Sequence, residues 1–333
     1  MKPEQKTLRI GAFAIVLAVV LRLFGGGTLD GIVAALTHPK VSAALLYAGT
    51  GRVLTLAPQL PPDATAPLAT EPSVTEPNPT EAPEKYLFQK EDAAAVSMTN
   101  YPGYSVDVAA MLEQPLSWDL TTDEPAVLIL HAHTSESYEN TEGYKPSGSY
   151  RTTDERYNMV SIGAHLAKCL QEKGISVIHD TTLHDSPSYN DAYSLSRKTA
   201  QAYLQKYPSI RLVLDIHRDA YEDSQGNQAS STVTLDGLQC SRLMIVAGTD
   251  AYGEDHHNWR DNLSLAVKLQ TILTRRYPGL CRSLAVRSSA FNQDLSPGAL
   301  LIEVGTAGDT RQDALNAASL LAEGIAQLAY GSA

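Results

Sequence analysis

The chain has 333 residues, enough for one large domain or two modest ones, and 26 Lys and Arg against 37 Asp and Glu leave it at −11. The first 24 residues run the other way: Lys2, Lys6, Arg9 and Arg22 oppose only Glu4, so the head is +3 and the remainder −14. An acidic body argues against nucleic acid as the main partner, because phosphate binding needs clustered Lys and Arg; three scattered cysteines, Cys169, Cys240 and Cys281, are too few for a disulfide framework or a cysteine zinc module.

The apolar head comes first in chain order. Residues 8–24 are interrupted only by Arg9 and Arg22 near the two ends, and their length is the short limit for a membrane-spanning helix, roughly 17–25 residues. Both arginines can snorkel to headgroups. Gly25, Gly26 and Gly27 stand where a signal peptide would carry its small-residue cleavage site. A transmembrane anchor over 1–24 is therefore expected, with a cleaved signal peptide and a buried soluble helix as the competing readings. Lys2, Lys6 and Arg9 precede the span, which places the N-terminus in the cytoplasm and the rest of the chain outside. A juxtamembrane segment follows over 25–56, with a short amphipathic pattern at 40–48. Residues 57–83 hold eight of the 18 prolines, four acids, no Lys or Arg and no aromatic. Such a stretch cannot pack a core and reads as an extended spacer, able to reach on the order of 80 Å. A lead-in segment over 84–124 joins it to the main domain, expected over 125–331.

In that domain, short apolar runs alternate with helical patterns. Strands are predicted at 126–130, 175–178, 211–216, 243–247, 284–286 and 300–304. Helices are predicted at 154–173, 191–207, 261–277 and 309–329, the first stopped by Gly174 and the next two by Pro208 and Pro278. The alternation predicts an α/β fold of three layers, a largely parallel twisted sheet with helices on both faces. Sites in such sheets gather at the carboxyl ends of strands.

Three strand ends carry polar clusters: His131, Ala132, His133, Thr134, Ser135 and Glu136 after the first; His217, Arg218 and Asp219 after the strand at 211–216; and Glu303 inside the apolar run LLIEVG. A carboxyl in a buried run is costly unless it is paired, protonated or beside a metal. Two imidazoles and one carboxylate can hold Zn2+ and leave a position for water. His133, Glu136 and His217 are the expected ligands, with Asp154 in reserve for the carboxylate and His131 in reserve for the histidine. Glu303 is the expected general base, Arg218 the nearest cation for an oxyanion, and Asp215 or Asp219 a group that could orient a ligand histidine. Asn292 and Gln293 are candidates to line the substrate groove, although the run NQDLSPG would equally make a turn. His256 and His257, in EDHHNW, read as surface loop.

HAHTSESY, LDIHRDA and NQDLSPGALLIEVGT, behind a basic apolar head and a Pro-rich spacer, resemble the stage II sporulation protein P family. The resemblance covers 125–329 and the N-terminal layout. It implies a fold like that of the zinc-dependent N-acetylmuramoyl-L-alanine amidases, Zn2+ as cofactor, and peptidoglycan as substrate. It implies cleavage of the muramoyl-L-alanine amide during spore engulfment, together with an association with cleavage of peptide cross-links. The implied partner is a lytic transglycosylase of the stage II sporulation protein D kind, and the implied place is the intermembrane space of the sporangium. His133 and His217 match the histidines of the two His motifs and Glu303 the late acid; Ala132 stands where a Thr is expected. A zinc metallocarboxypeptidase-like wall peptidase and a non-catalytic wall-binding scaffold are the alternatives.

Overall fold

A computed structural model describes residues 86–116, 120–139, 143–144, 150–223, 225 and 227–331. The expected anchor, juxtamembrane segment and spacer lie outside the described residues. Among those described, no helix is long and apolar enough to cross a membrane.

The strands are β1 (Met98–Asn100), β2 (Val127–Leu130), β3 (Val177–His179), β4 (Leu212–Asp219), β5 (Thr232–Leu235), β6 (Leu238–Ser241), β7 (Leu243–Ala247), β8 (Leu284–Val286) and β9 (Ala299–Thr306). The helices are α1 (Val108–Glu113), α2 (Met159–Glu172), α3 (Ala192–Lys206), α4 (Trp259–Arg276) and α5 (Arg311–Gly331), with 3-10 turns at Lys90–Ala95, Tyr189–Asp191 and Gln293–Leu295. Seven strands form one sheet in the order β1-β8-β7-β9-β4-β2-β3, while β5 and β6 make a separate hairpin.

The sheet is largely parallel, as expected, with one antiparallel pairing. β3, β2, β4 and β9 run one way; β7, β8 and β1 run the other, and β7 meets β9 antiparallel with Met244 opposite Glu303. The reversal arises where the β5–β6 hairpin interrupts the strand–helix alternation. The expected lead-in carries structure of its own. β1 extends the sheet beside β8, and Leu112 of α1 is buried in the main core, so 86–116 belongs to the folded unit.

Period-2 alternation divides the strands between two faces. Val127 and Ile129, Leu214 and Ile216, Ile245, Ile302 and Val304 point to one face and form the main core with Ile162, Leu166 and Leu170 of α2, Leu263 and Leu269 of α4, and Leu321 and Ile325 of α5. Each such side chain contributes roughly 1.5–3 kcal/mol on full burial. The opposite face is covered in part. Leu128, Leu130, Val213 and Ala299 meet Ala200 of α3, while Met244, Val246, Ala285 and Leu301 form a smaller cluster with Phe291 packed on it. Helices do lie on both faces, three against one, and the half of the sheet that no described helix covers forms the floor of a cleft.

Helix α2 starts later than its pattern predicts. Asn158 is its N-cap, with Oδ1 accepting from Val160 N at 3.0 Å. The residues before it are drawn into a turn, where Asp154 pairs with Arg156 Nη2 at 2.6 Å.

Candidate active site

The uncovered face carries a cleft of about 550 Å3 lined by His133, Glu136, His217, Arg218, Asp219 and Glu303, by Tyr189 and Tyr193, and farther along by Tyr101, Tyr252, Arg287 and Phe291. Alternation explains why the polar groups meet. Val213, Asp215 and His217 share one face of β4, and Leu301 and Glu303 the same face of β9. Parallel register places His217 directly beside Glu303.

His133 and Glu136 arrive from the loop after β2. Thr134 Oγ1 lies 2.8 Å from both His131 O and Thr182 O, sharing its one proton between them, and Ser135 Oγ donates to Asp185 Oδ2 at 2.6 Å, which fixes that loop. The Ala132 N–H donates to Asp215 Oδ1 at 2.8 Å. Residue 132 thus contributes through its backbone, which a small side chain permits.

Glu136 is the charge centre. Its Oε2 lies 3.4 Å from His217 Nδ1 and accepts from Arg218 N at 3.3 Å, and its Oε1 lies 3.4 Å from Arg151 Nη2 and 3.6 Å from Arg218 Nη1. Burial works against ionisation here, yet the His217 hydrogen bond and the Arg218 charge prevail and hold the carboxyl down at about 2. His217 lies between two acids, with Nε2 2.8 Å from Asp215 Oδ1 but off the line of a hydrogen bond. Against burial, Asp215 and Glu136 hold its pKa well above the ordinary value. His133 is shifted the other way, lowered by burial. Its ring stacks on Tyr189 at 4.2 Å and 7°, and Arg151 covers the Tyr189 ring at 4.4 Å. Glu303 is pushed up to about 8 by burial, with Glu136 and Asp219 adding to the shift, and its Oε2 has no hydrogen-bond partner.

Other predicted site residues fall elsewhere. His131 turns to the α2 face, where Nδ1 lies 2.8 Å from Ile216 O and Nε2 2.9 Å from His179 Nε2; it does not join His133 and His217. Asp154 is bound to Arg156 in its turn. Gln293 braces β7, with Oε1 accepting from Gly248 N and Nε2 donating to Val246 O, both at 2.9 Å, so its side chain is buried beneath the groove. Asn292 donates to Tyr193 O at 2.8 Å and anchors the turn to α3. Arg218 reaches the site but is committed: Nε donates to Ser137 O at 3.0 Å and Nη2 to Tyr150 O at 2.9 Å. The register shift after His217 accompanies this placement, since a bulge re-aims the side chain beside it. Asp219 pairs with Arg282 at 2.7 Å, and Asp215 is the acid beside His217. His256 is buried against Asn262 at 3.2 Å, contrary to the surface-loop reading, while His257 is exposed.

The donor types suit a divalent metal. The His217 Nδ1 to Glu136 Oε2 separation of 3.4 Å is close to the spacing of about 3.3 Å between two ligands on tetrahedral zinc. A carboxylate beside the other ring nitrogen is how metal-ligating histidines are oriented, and His133 Nδ1 is buried without a partner. As the side chains stand, no three His, Cys, Asp or Glu among the described residues are grouped as a metal site. His133 is the donor that would complete one.

The His131–His179 contact makes a separate prediction. Burial lowers His179 to about 4. Between that value and its ordinary one near 6.5, the unfolded chain binds a proton that the folded chain refuses, so stability falls as pH drops through this window. Denaturant midpoints at pH 7 and pH 5 should show a loss on the order of 1–2 kcal/mol from this residue. His179→Gln should lose less by that amount, and an equal loss in both chains would remove His179 as the cause.

A family model described as stage II sporulation protein P matches residues 59–326. Stage II sporulation protein P of Bacillus subtilis (strain 168) is 25% identical over 224 residues, covering 62% of this chain and 52% of that protein, so the chain spans about half the length of the curated relative it matches. Among solved structures, an N-acetylmuramoyl-L-alanine amidase of Nostoc punctiforme is similar at 14% identity and TM-score 0.34, over 61% of this chain and 94% of that one. One from Clostridium difficile 630 is similar at 16% and 0.35, over 62% and 95%.

Proposed function

The chain belongs to the stage II sporulation protein P family, and from that premise we propose that it is a peptidoglycan hydrolase that cleaves the muramoyl-L-alanine amide, and peptide cross-links as well, during spore engulfment. The observation that carries the reading is the register of His217 beside Glu303 on the uncovered sheet face, with Glu136 and His133 closing on the same point. In this reading the basic head and the run over 8–24 anchor the chain, the spacer holds the domain outside the membrane, and a lytic transglycosylase of the stage II sporulation protein D kind works beside it.

His133, Glu136 and His217 would hold Zn2+. Bound zinc supplies Lewis acidity toward the scissile carbonyl and lowers the pKa of water. The other work falls to the chain. Asp215 orients the His217 ring, while Arg218 and Arg151 keep Glu136 ionised and in place. Tyr189 and Tyr193 pack on the two imidazoles and narrow the approach of water. Glu303, in its ionised form, would take a proton from the attacking water and pass it to the departing amine nitrogen of L-Ala.

Purified chain should carry stoichiometric zinc and release stem peptides from isolated wall, and chelation should stop the release. Free L-Ala amino groups in the products identify the amidase. Release of terminal amino acids would replace it with a carboxypeptidase, and wall binding without release that survives loss of His133 and His217 would replace both with a scaffold.

A further inference from the structure

The cleft continues past the Glu303 end to a second cluster that the chemistry above leaves unused. Two arginines line the cleft as a whole. Arg218 is committed to Glu136 and to the carbonyls of Ser137 and Tyr150. Arg287 makes no ion pair among the described residues; its guanidinium lies over the Tyr101 ring, 4.3 Å from the centroid. Its backbone is pinned from both sides, with Arg287 N donating to Ala247 O and Thr249 Oγ1 to Arg287 O, each at 2.8 Å. Tyr101 is tied to the same spot through its own N–H to Val286 O at 3.1 Å. A cation stacked on an aromatic ring and held by its backbone is oriented before anything binds, so little ordering is needed when a ligand arrives.

Other ionisable groups in the lining are already engaged: His217 lies between Glu136 and Asp215, and Asp219 pairs with Arg282. Among the lining residues, Arg287 is the cation that an anionic group would meet without displacing an ion pair. We propose that Arg287, seated on Tyr101, is the recognition point for a stem-peptide carboxylate, and that it orients the muramyl peptide with its acidic part away from Glu303. The inference rests on the reading that the cleft takes a muramyl peptide. A planar guanidinium pairs with a carboxylate through two parallel hydrogen bonds, a geometry that a carboxamide cannot reproduce in charge.

The test is calorimetric titration of the full chain in a Glu303→Gln background, with intact ligand checked by chromatography. The ligands are a synthetic muramyl tripeptide with its second-residue carboxylate free and the same compound as a carboxamide. The parental chain should bind the carboxylate about tenfold more tightly. Arg287→Gln should erase that preference and Arg287→Lys should keep part of it, so the lysine chain gives the answer if the glutamine chain does not fold. An unchanged preference in the substituted chain, or none in the parental chain, overturns the proposal. Stem-peptide release by the wild-type chain is scored apart. Carboxylate preference without release would sink the hydrolase reading and leave Arg287 in place; release without preference would do the reverse.

Discussion

Glu303→Gln is expected to cut stem-peptide release about a thousandfold, within the range of roughly 10²–10⁴ for loss of a general acid–base group, and at the same time to stabilise the metal-free chain. The second half follows from linkage. Glu303 is held at about 8 against an ordinary 4.5. Between those values the folded chain keeps a proton that the unfolded chain has released, so stability declines as pH rises through the window and the full cost stands above it. The side chain keeps some contact with the open cleft, which moderates the cost to on the order of 2 kcal/mol at pH 7. Replacing the carboxyl by an amide removes that cost. Thermal melts in chelator should therefore show little difference near pH 5 and a widening advantage for the variant toward pH 8. Equal wall digestion by the two chains would remove Glu303 from the chemistry, and a variant less stable at pH 8 would mean that the carboxylate has found a partner. A residue costly to the fold and valuable to the reaction is the usual stability–activity trade-off at active sites.

The largest loss of stability should come from one methyl group. Gly163 lies on the face of α2 that approaches the sheet, and a Cβ there would run into His179 Nε2 and, at 2.6 Å, into His131 Nε2. Neither ring can retreat freely, because His131 is also held 2.8 Å from Ile216 O. Gly163→Ala should therefore cost about 3 kcal/mol, as overpacking in a close-packed core does. For a domain of this size the melting temperature should fall roughly 6–10 °C. The helix propensity of alanine works the other way by about 1 kcal/mol, so a melting temperature at or above that of the parent would show that the helix can shift and that the contact is loose. The damage should also reach the site, since the loop carrying His133 begins at His131.

Much of this was legible from the residues. β2, β4, β7 and β9 are buried on both faces over most of their length, so each reads as an uninterrupted apolar run. The intrusions into those runs, His217 and Glu303, were visible because charge inside such a run is expensive. Strand direction was not legible: LMIVA looks the same whichever way it runs, so the antiparallel meeting of β7 with β9 had no local signal. β1 was missed because three residues of MTN carry no apolar run. β4 extends to Asp219 because the polar residues His217, Arg218 and Asp219 find partners at its end, which alternation alone cannot foresee. At the site, the helpers were harder to see than the principals. Arg151, Asp185 and Tyr189 lie on segments without strand or helix pattern and come together only through the loop folds. Gln293 failed as a groove residue for the complementary reason: a polar side chain in a turn can be spent on backbone partners, as its bonds to Gly248 and Val246 show.

The reversal of direction at β7 has a consequence for how long a substrate this domain can take. In a uniformly parallel sheet all carboxyl ends line one edge, and a site built from them is confined to that edge. Here β2 and β4 end at one edge, near His133 and His217, while β8 and β1 end at the opposite edge, near Arg287 and Tyr101. A single trough crosses the bare sheet from one to the other and is served by loops from both. On the proposed reading, the reacting groups come from β4, β9 and the loop after β2, and the selecting groups from the ends of β8 and β1, at opposite edges of the sheet. If that reading holds, insertions after β8 would retune which ligand is accepted without moving the groups around His217 and Glu303.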